Sequence, residues 1–177
     1  LNALHDQILF EGPHSIAAIV LEAITGANGW LKTPTSFMQG VRALCDEYGI
    51  LLISDEVMNG FGRTGKMFVC EHFDVVPDML VIGKGLGGGI FPMAALMVRE
   101  DLDLVGDRAL GHYTHEKSSV GCAAALATID CLFEDGLIEK SARLGQKGLQ
   151  YLSDLKTQYP SIHDARGLGL FFGIELR

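Results

Sequence analysis

A chain of 177 residues with 48% hydrophobic side chains carries enough apolar material for one packed core, which excludes an intrinsically disordered segment. Its formal net charge of -8, with no run of Lys or Arg, argues against a nucleic-acid-binding surface. No apolar run reaches the roughly 18 residues of a membrane span, so no contact with a membrane is expected. The four cysteines (Cys45, Cys70, Cys122 and Cys131) form no CxxC pair and lack zinc-ligand spacing; they read as reduced core thiols of a cytoplasmic protein. The chain opens inside a helical pattern without Met and stops directly after an apolar run, as expected of a piece of a longer protein.

Taken in order, Leu1, Leu4 and Ile8 share a helical face that Gly12-Pro13 ends. Residues 16–21 (IAAIVL) are a continuous apolar run, the pattern of a strand buried on both faces, and end at Glu22 beside a glycine loop. Thr33-Pro34 predicts a helix start with Thr as cap, and Gly49 a left-handed stop. Residues 50–53 (ILLI) give the next buried strand, which runs into Ser54-Asp55-Glu56. Strand, helix and strand imply parallel pairing with a right-handed crossover. After the glycine-rich loop 59–66, a third strand is expected to begin past Pro77-Asp78 and end at Lys84, and a fourth lies at 91–98. Beyond Gly111-His112-Tyr113-Thr114 come an alanine-rich helix at 120–133, a break at Gly136, and a second helix at 138–155. Two strands follow, at 162–165 and 170–176, joined by Arg166-Gly167-Leu168-Gly169. The expected architecture is α/β, mostly parallel with flanking helices, followed by the start of a smaller α+β domain: residues 1–135 and 136–177.

Three expected strands end in ionisable groups, Glu22, Asp55 and Lys84, and in open parallel sheets functional residues gather at those ends. A solvated strand-end charge explains any one of them alone. Gly83, Gly85 and Gly88 match GxGxxG, but a dinucleotide site needs a helix opening at once behind the glycines. Here Ile90-Phe91-Pro92-Met93 and a β-like run follow. Lys84 also precedes most of the glycines, so the Walker pattern fails, and His112, His115 and Cys122 lack metal spacing. The remaining reading is an aldehyde cofactor held as a Schiff base, which needs a fixed lysine with room about its amine, here provided by flanking glycines. It also needs an acid that keeps a pyridine nitrogen protonated. Asp55 suits that role. Val57, two residues on, would face the same way on an extended chain and press on the ring.

The segments Ile53 to Phe68 (ISDEVMNGFGRTGKMF) and Pro77 to Gly89 (PDMLVIGKGLGGG) resemble the class III pyridoxal-phosphate aminotransferases, a family that includes some aminomutases, racemases and decarboxylases. LCDEYGILLISDEV, GCAAALATI and RGLGLFFGIEL extend the likeness through most of the chain. The resemblance implies the large domain of pyridoxal-phosphate fold type I and a pyridoxal 5'-phosphate cofactor. Lys84 would carry the Schiff base, Asp55 would pair with the pyridine nitrogen, and Val57 would pack on the ring. Thr114 would bind the cofactor phosphate of the partner subunit in a homodimer. The activity implied is amino transfer from a small-molecule amino donor to a keto acceptor. The family's usual Thr-Phe-Gly-Gly-Asn-Pro is replaced by Thr-His-Glu-Lys-Ser-Ser at 114–119, and Glu-Pro by Glu22-Ala23. Glu22 shapes the site or serves as a structural hydrogen-bond partner, and Arg63 reads as structural. The glycine/serine phosphate loop, the ring-stacking aromatic and the substrate arginine of such enzymes have no counterpart here, so a truncated, inactive scaffold is the other reading of this stretch.

Overall fold

The computed structural model describes residues 1–108 and 113–177; Gly111 and His112, read above as part of the loop before the alanine-rich helix, lie outside the described residues. Helix α1 (Asn2–Glu11) buries Ile8 and ends at Gly12, whose φ of 83° is open to glycine. Strand β1 (Ala18–Leu21) is followed by a small antiparallel pair, β2 (Ile24–Thr25) and β3 (Leu31–Lys32), inside the stretch read as plain loop. Helix α2 (Thr35–Tyr48) starts behind Pro34, not under a Thr33 cap, and stops at Gly49 with φ 68° as expected. Strands β4 (Leu51–Asp55), β5 (Met79–Ile82) and β6 (Ala95–Val98) complete the main sheet.

The sheet order is β1-β4-β5-β6. β1, β4 and β5 run parallel and β6 antiparallel. All three parallel strands therefore point their carboxyl ends at one rim, where Asp55 ends β4 and Glu22 and Lys84 lie just past β1 and β5. β1 is shorter than the apolar run suggested; among the described residues it pairs with β4, and Val20 on it is 60% exposed where the run predicted burial on both faces. One core, with Ile8, Met38, Val41, Leu52 and Phe73, packs α1 and α2 against β4. A smaller one, with Cys70, Leu80, Ile82, Leu86 and Ala125, joins β5 to helix α3 (Ser119–Glu134).

Asp78, just ahead of β5 and 4% exposed, ties several elements. Its Oδ2 accepts the Leu52 N–H at 2.7 Å and the Arg42 guanidinium at 2.8 Å, and its Oδ1 pairs with Arg99 beyond β6. Burial raises this carboxyl, but the Leu52 N–H and the two guanidinium groups outweigh it and hold the group below its ordinary value.

Helix α4 (Leu137–Gln158) begins at Gly136 in the left-handed region. β7 (Ile162–Leu168) and β8 (Phe171–Leu176) then form an antiparallel hairpin with a tighter turn than expected, because Arg166, Gly167 and Leu168 belong to the strand. The earlier loops fasten this part. The Arg63 carbonyl accepts from Ser141 Oγ at 3.0 Å and from the Leu170 N–H at 2.9 Å. Arg166 donates to the Gly29 carbonyl at 2.7 Å and the Trp30 carbonyl at 3.0 Å, while Trp30 meets Phe171 edge-on at 5.9 Å.

Candidate active site

β4 ends at Asp55 because the carboxylate turns the backbone back on itself: Oδ1 accepts the Val57 N–H at 3.0 Å, an Asx turn. The chain does not stay extended, so Val57 does not face the site by strand alternation as the sequence suggested. It packs instead beside Gly83, its Cγ1 3.6 Å from where a β-carbon would stand. Asp55 is half-buried, and its Oδ2 has no hydrogen-bond partner among the described residues.

Glu56 differs from its neighbour. It is fully buried, accepting the Val69 N–H at 2.5 Å and the Cys70 N–H at 2.8 Å. Burial pushes its carboxyl up, and the two N–H groups pull it back. Burial, with Glu56 beside it, pushes the Cys70 thiol to about 12, which leaves it inert. Of the paired acids, Glu56 fastens the turn at Val69–His72, and Asp55 alone is open to a ligand. No motif signals this, since the partners of Glu56 are backbone groups 13 and 14 residues away.

β5 stops at Ile82, two residues short of the expected end, and Lys84 opens a 3-10 turn, Lys84–Gly87. Lys84 takes φ 43°, a left-handed conformation that costs a non-glycine residue about 1–3 kcal/mol and collects at functional sites. The side chain is exposed, and Nζ points at Met58 Sδ, in contact with it. The glycines serve close packing more than clearance for the amine. A β-carbon at Gly85 would stand 3.2 Å from Phe61 Cβ, and one at Gly88 (φ 63°) 2.6 Å from Thr128 Oγ1 on α3. The glycine segment itself holds a short 3-10 turn, and irregular backbone follows it in place of the α-helix that a dinucleotide would require.

The structure brings Asp55 and Lys84 to one rim: Asp55 pairs with Val81 across the parallel β4–β5 ladder, three residues before Lys84. Val57 joins them through Gly83. Glu22 lies at the same rim, its Oε2 accepting the Gly26 N–H at 3.0 Å. Thr114 is exposed in the turn at 114–117 and makes no hydrogen bond to this group among the described residues. That turn walls a cleft of about 470 Å³ through His115, and Phe91, Met93, Ser118 and Cys122 line it as well. Met58 and Phe61, both next to the Lys84 turn, were invisible in the sequence as site residues. An exposed amine on a thioether, with an unpaired carboxylate oxygen at the adjacent strand end, fits an aldehyde cofactor whose ring nitrogen needs an acceptor.

Residues 2–177 match the family described as Aminotransferase class-III. The putrescine aminotransferase of Pectobacterium atrosepticum is 46% identical over 165 residues, 92% of this chain and 35% of that protein. The (R)-1-hydroxy-2-aminoethylphosphonate ammonia-lyase of Vibrio splendidus is 39% identical over 171 residues, 96% of this chain and 35% of that protein. The crystal structure of taurine:2-oxoglutarate aminotransferase from Bifidobacterium kashiwanohense, in complex with PLP and glutamate, superposes with a TM-score of 0.95 at 38% identity, covering 99% of this chain and 40% of that one. The chain spans little more than a third of these proteins, and it belongs to the class III aminotransferase family.

Proposed function

We propose that the protein containing this chain is a pyridoxal-phosphate-dependent aminotransferase, carrying an amino group from an amine or amino acid to a keto acid or aldehyde. The observation that carries the reading is the placement of Asp55 and Lys84 at the carboxyl ends of adjacent parallel strands. The cofactor, when bound, supplies an electron sink for the pair left behind by a departing α-proton. Lys84 Nζ would anchor the cofactor and, when its amine is free, would serve as the base that takes the α-proton of the amino donor and hands it on. Asp55 Oδ2 accepts a hydrogen bond from the ring nitrogen and keeps it protonated. Val57 packs on the ring, and Thr114 Oγ1 donates to the cofactor phosphate of a partner subunit in a homodimer.

We place the large cofactor-binding domain at 1–135 and the start of the small domain at 136–177, a division supported by the separate β7–β8 sheet. The cysteines of the chain are free, which accords with a cytoplasmic setting, and among the described residues no helix is long and apolar enough to cross a membrane. A second reading, elimination of ammonia or another reaction of the family, draws on the Vibrio relative, which is described as an ammonia-lyase.

The full-length protein with pyridoxal phosphate is expected to show a visible absorbance band that borohydride fixes as a covalent adduct on Lys84, and Lys84→Ala should lose both. A wild-type protein with no band would sink the proposal. An amine-donor panel with pyruvate and 2-oxoglutarate then separates transfer, which needs an acceptor, from elimination, which does not.

A further inference from the structure

We infer that Met58 is a positioning residue for the Lys84 amine, and that Glu22 and Gly26 hold Met58 in place from behind; the inference rests on the proposed role of Lys84. Among the described residues the Met58 thioether is in contact with Nζ and is the amine's neighbour in hydrogen-bonding position. Met58 is half-buried and wedged on its far side. Its Cε lies 3.1 Å from where a β-carbon on Gly26 would stand, and Phe171 Cζ lies 3.4 Å from the same point. Gly26 is tethered in turn by its N–H to Glu22 Oε2 at 3.0 Å. The glutamate at the end of β1 thus reaches the reactive lysine through one glycine and one methionine.

The chemistry suits an amine that must change partners. A lysine stem carries about 2 kcal/mol of rotamer entropy, and a neighbour that fixes the head group removes part of that before reaction. A carboxylate in that place would lock the ammonium form and oppose covalent attachment, whereas a thioether is an uncharged, weak acceptor. It orients the amine and is cheaply given up when Nζ bonds to an aldehyde carbon and water leaves. Gly26 has no positive φ, so alanine there meets no backbone strain and acts chiefly by displacing the flexible Met58 methyl.

The test uses the full-length protein stripped of cofactor. The rate of covalent attachment of pyridoxal phosphate is followed as the visible band. The affinity for pyridoxamine phosphate, which forms no bond to Lys84, is measured by equilibrium dialysis. Met58→Leu and Gly26→Ala should each slow attachment about fivefold while pyridoxamine phosphate affinity stays within about twofold. Unchanged attachment in both variants overturns the inference. So does a parallel loss of attachment rate and pyridoxamine phosphate affinity, which marks a merely structural role. If the wild type itself never forms the band, the assignment of Lys84 fails, a result distinct from either.

Discussion

At the scale of single residues, the proposed function gives Asp55 two duties with different chemical requirements. Its Oδ1 holds the Asx turn that seats Val57, and under the proposed function its Oδ2 would be the oxygen offered to the cofactor ring. Asparagine can make the turn but carries no charge; alanine does neither. Asp55→Asn in the full-length protein should keep its thermal midpoint and lose about 100-fold in turnover, the equivalent of two pKa units on the ring nitrogen. Asp55→Ala should lose turnover at least as far and also lower stability by about 1 kcal/mol, read as a lower thermal midpoint. Near-normal turnover in the asparagine variant would remove Asp55 from the chemistry. The residues legible in the sequence, Asp55 and Lys84, follow apolar strands in an unbroken local pattern. Those that were not, Glu56, Met58 and Phe61, act through partners 13 to 26 residues away, and spacing along the chain carries no trace of them.

At the scale of elements, Asp78 pins the rim opposite the site by joining β4, α2 and the segment after β6. Arg42 is mostly covered and Arg99 is half-exposed, so the Arg42 and Leu52 contacts carry most of the worth. Asp78→Asn should cost about 3 kcal/mol at neutral pH, read from urea midpoints of the full-length protein. The sign with pH follows from a carboxyl held below its ordinary value. Its contribution is complete above the unfolded value near 3.9 and is lost as pH falls through the lower folded value. The gap between wild type and Asp78→Asn should therefore hold from neutral pH down to about pH 4 and narrow below it. The order of helices and strands was readable because each long element keeps one period. Strand burial was not: an apolar run reads the same whether or not both of its faces are covered, and Val20 on β1 is exposed among the described residues. β2 and β3, two residues each, are too short to have a period at all.

At the scale of the molecule, the last quarter of the chain closes on its first quarter. A two-residue ladder such as β2–β3 is marginal alone. It is held by Arg166 from β7 and by the Trp30–Phe171 contact. Trp30 is the chain's one tryptophan, so its emission reports the closure directly. In the 177-residue chain, Arg166→Ala should shift that emission to the red, and a chain ended at residue 160 should shift it further. Equal emission in all three would mean that the 24–32 segment orders without the hairpin. The same contact carries a consequence for synthesis. Arg166 and Gly29 are 137 residues apart, so during translation the 24–32 turn waits for most of this stretch to leave the ribosome before its carbonyls find their donor. Glu22 and Gly26 adjoin that turn, so the support behind Met58 belongs among the late steps of folding. The lysine turn, with partners mostly from Val57 to Thr128, can form earlier than the brace that aims its amine.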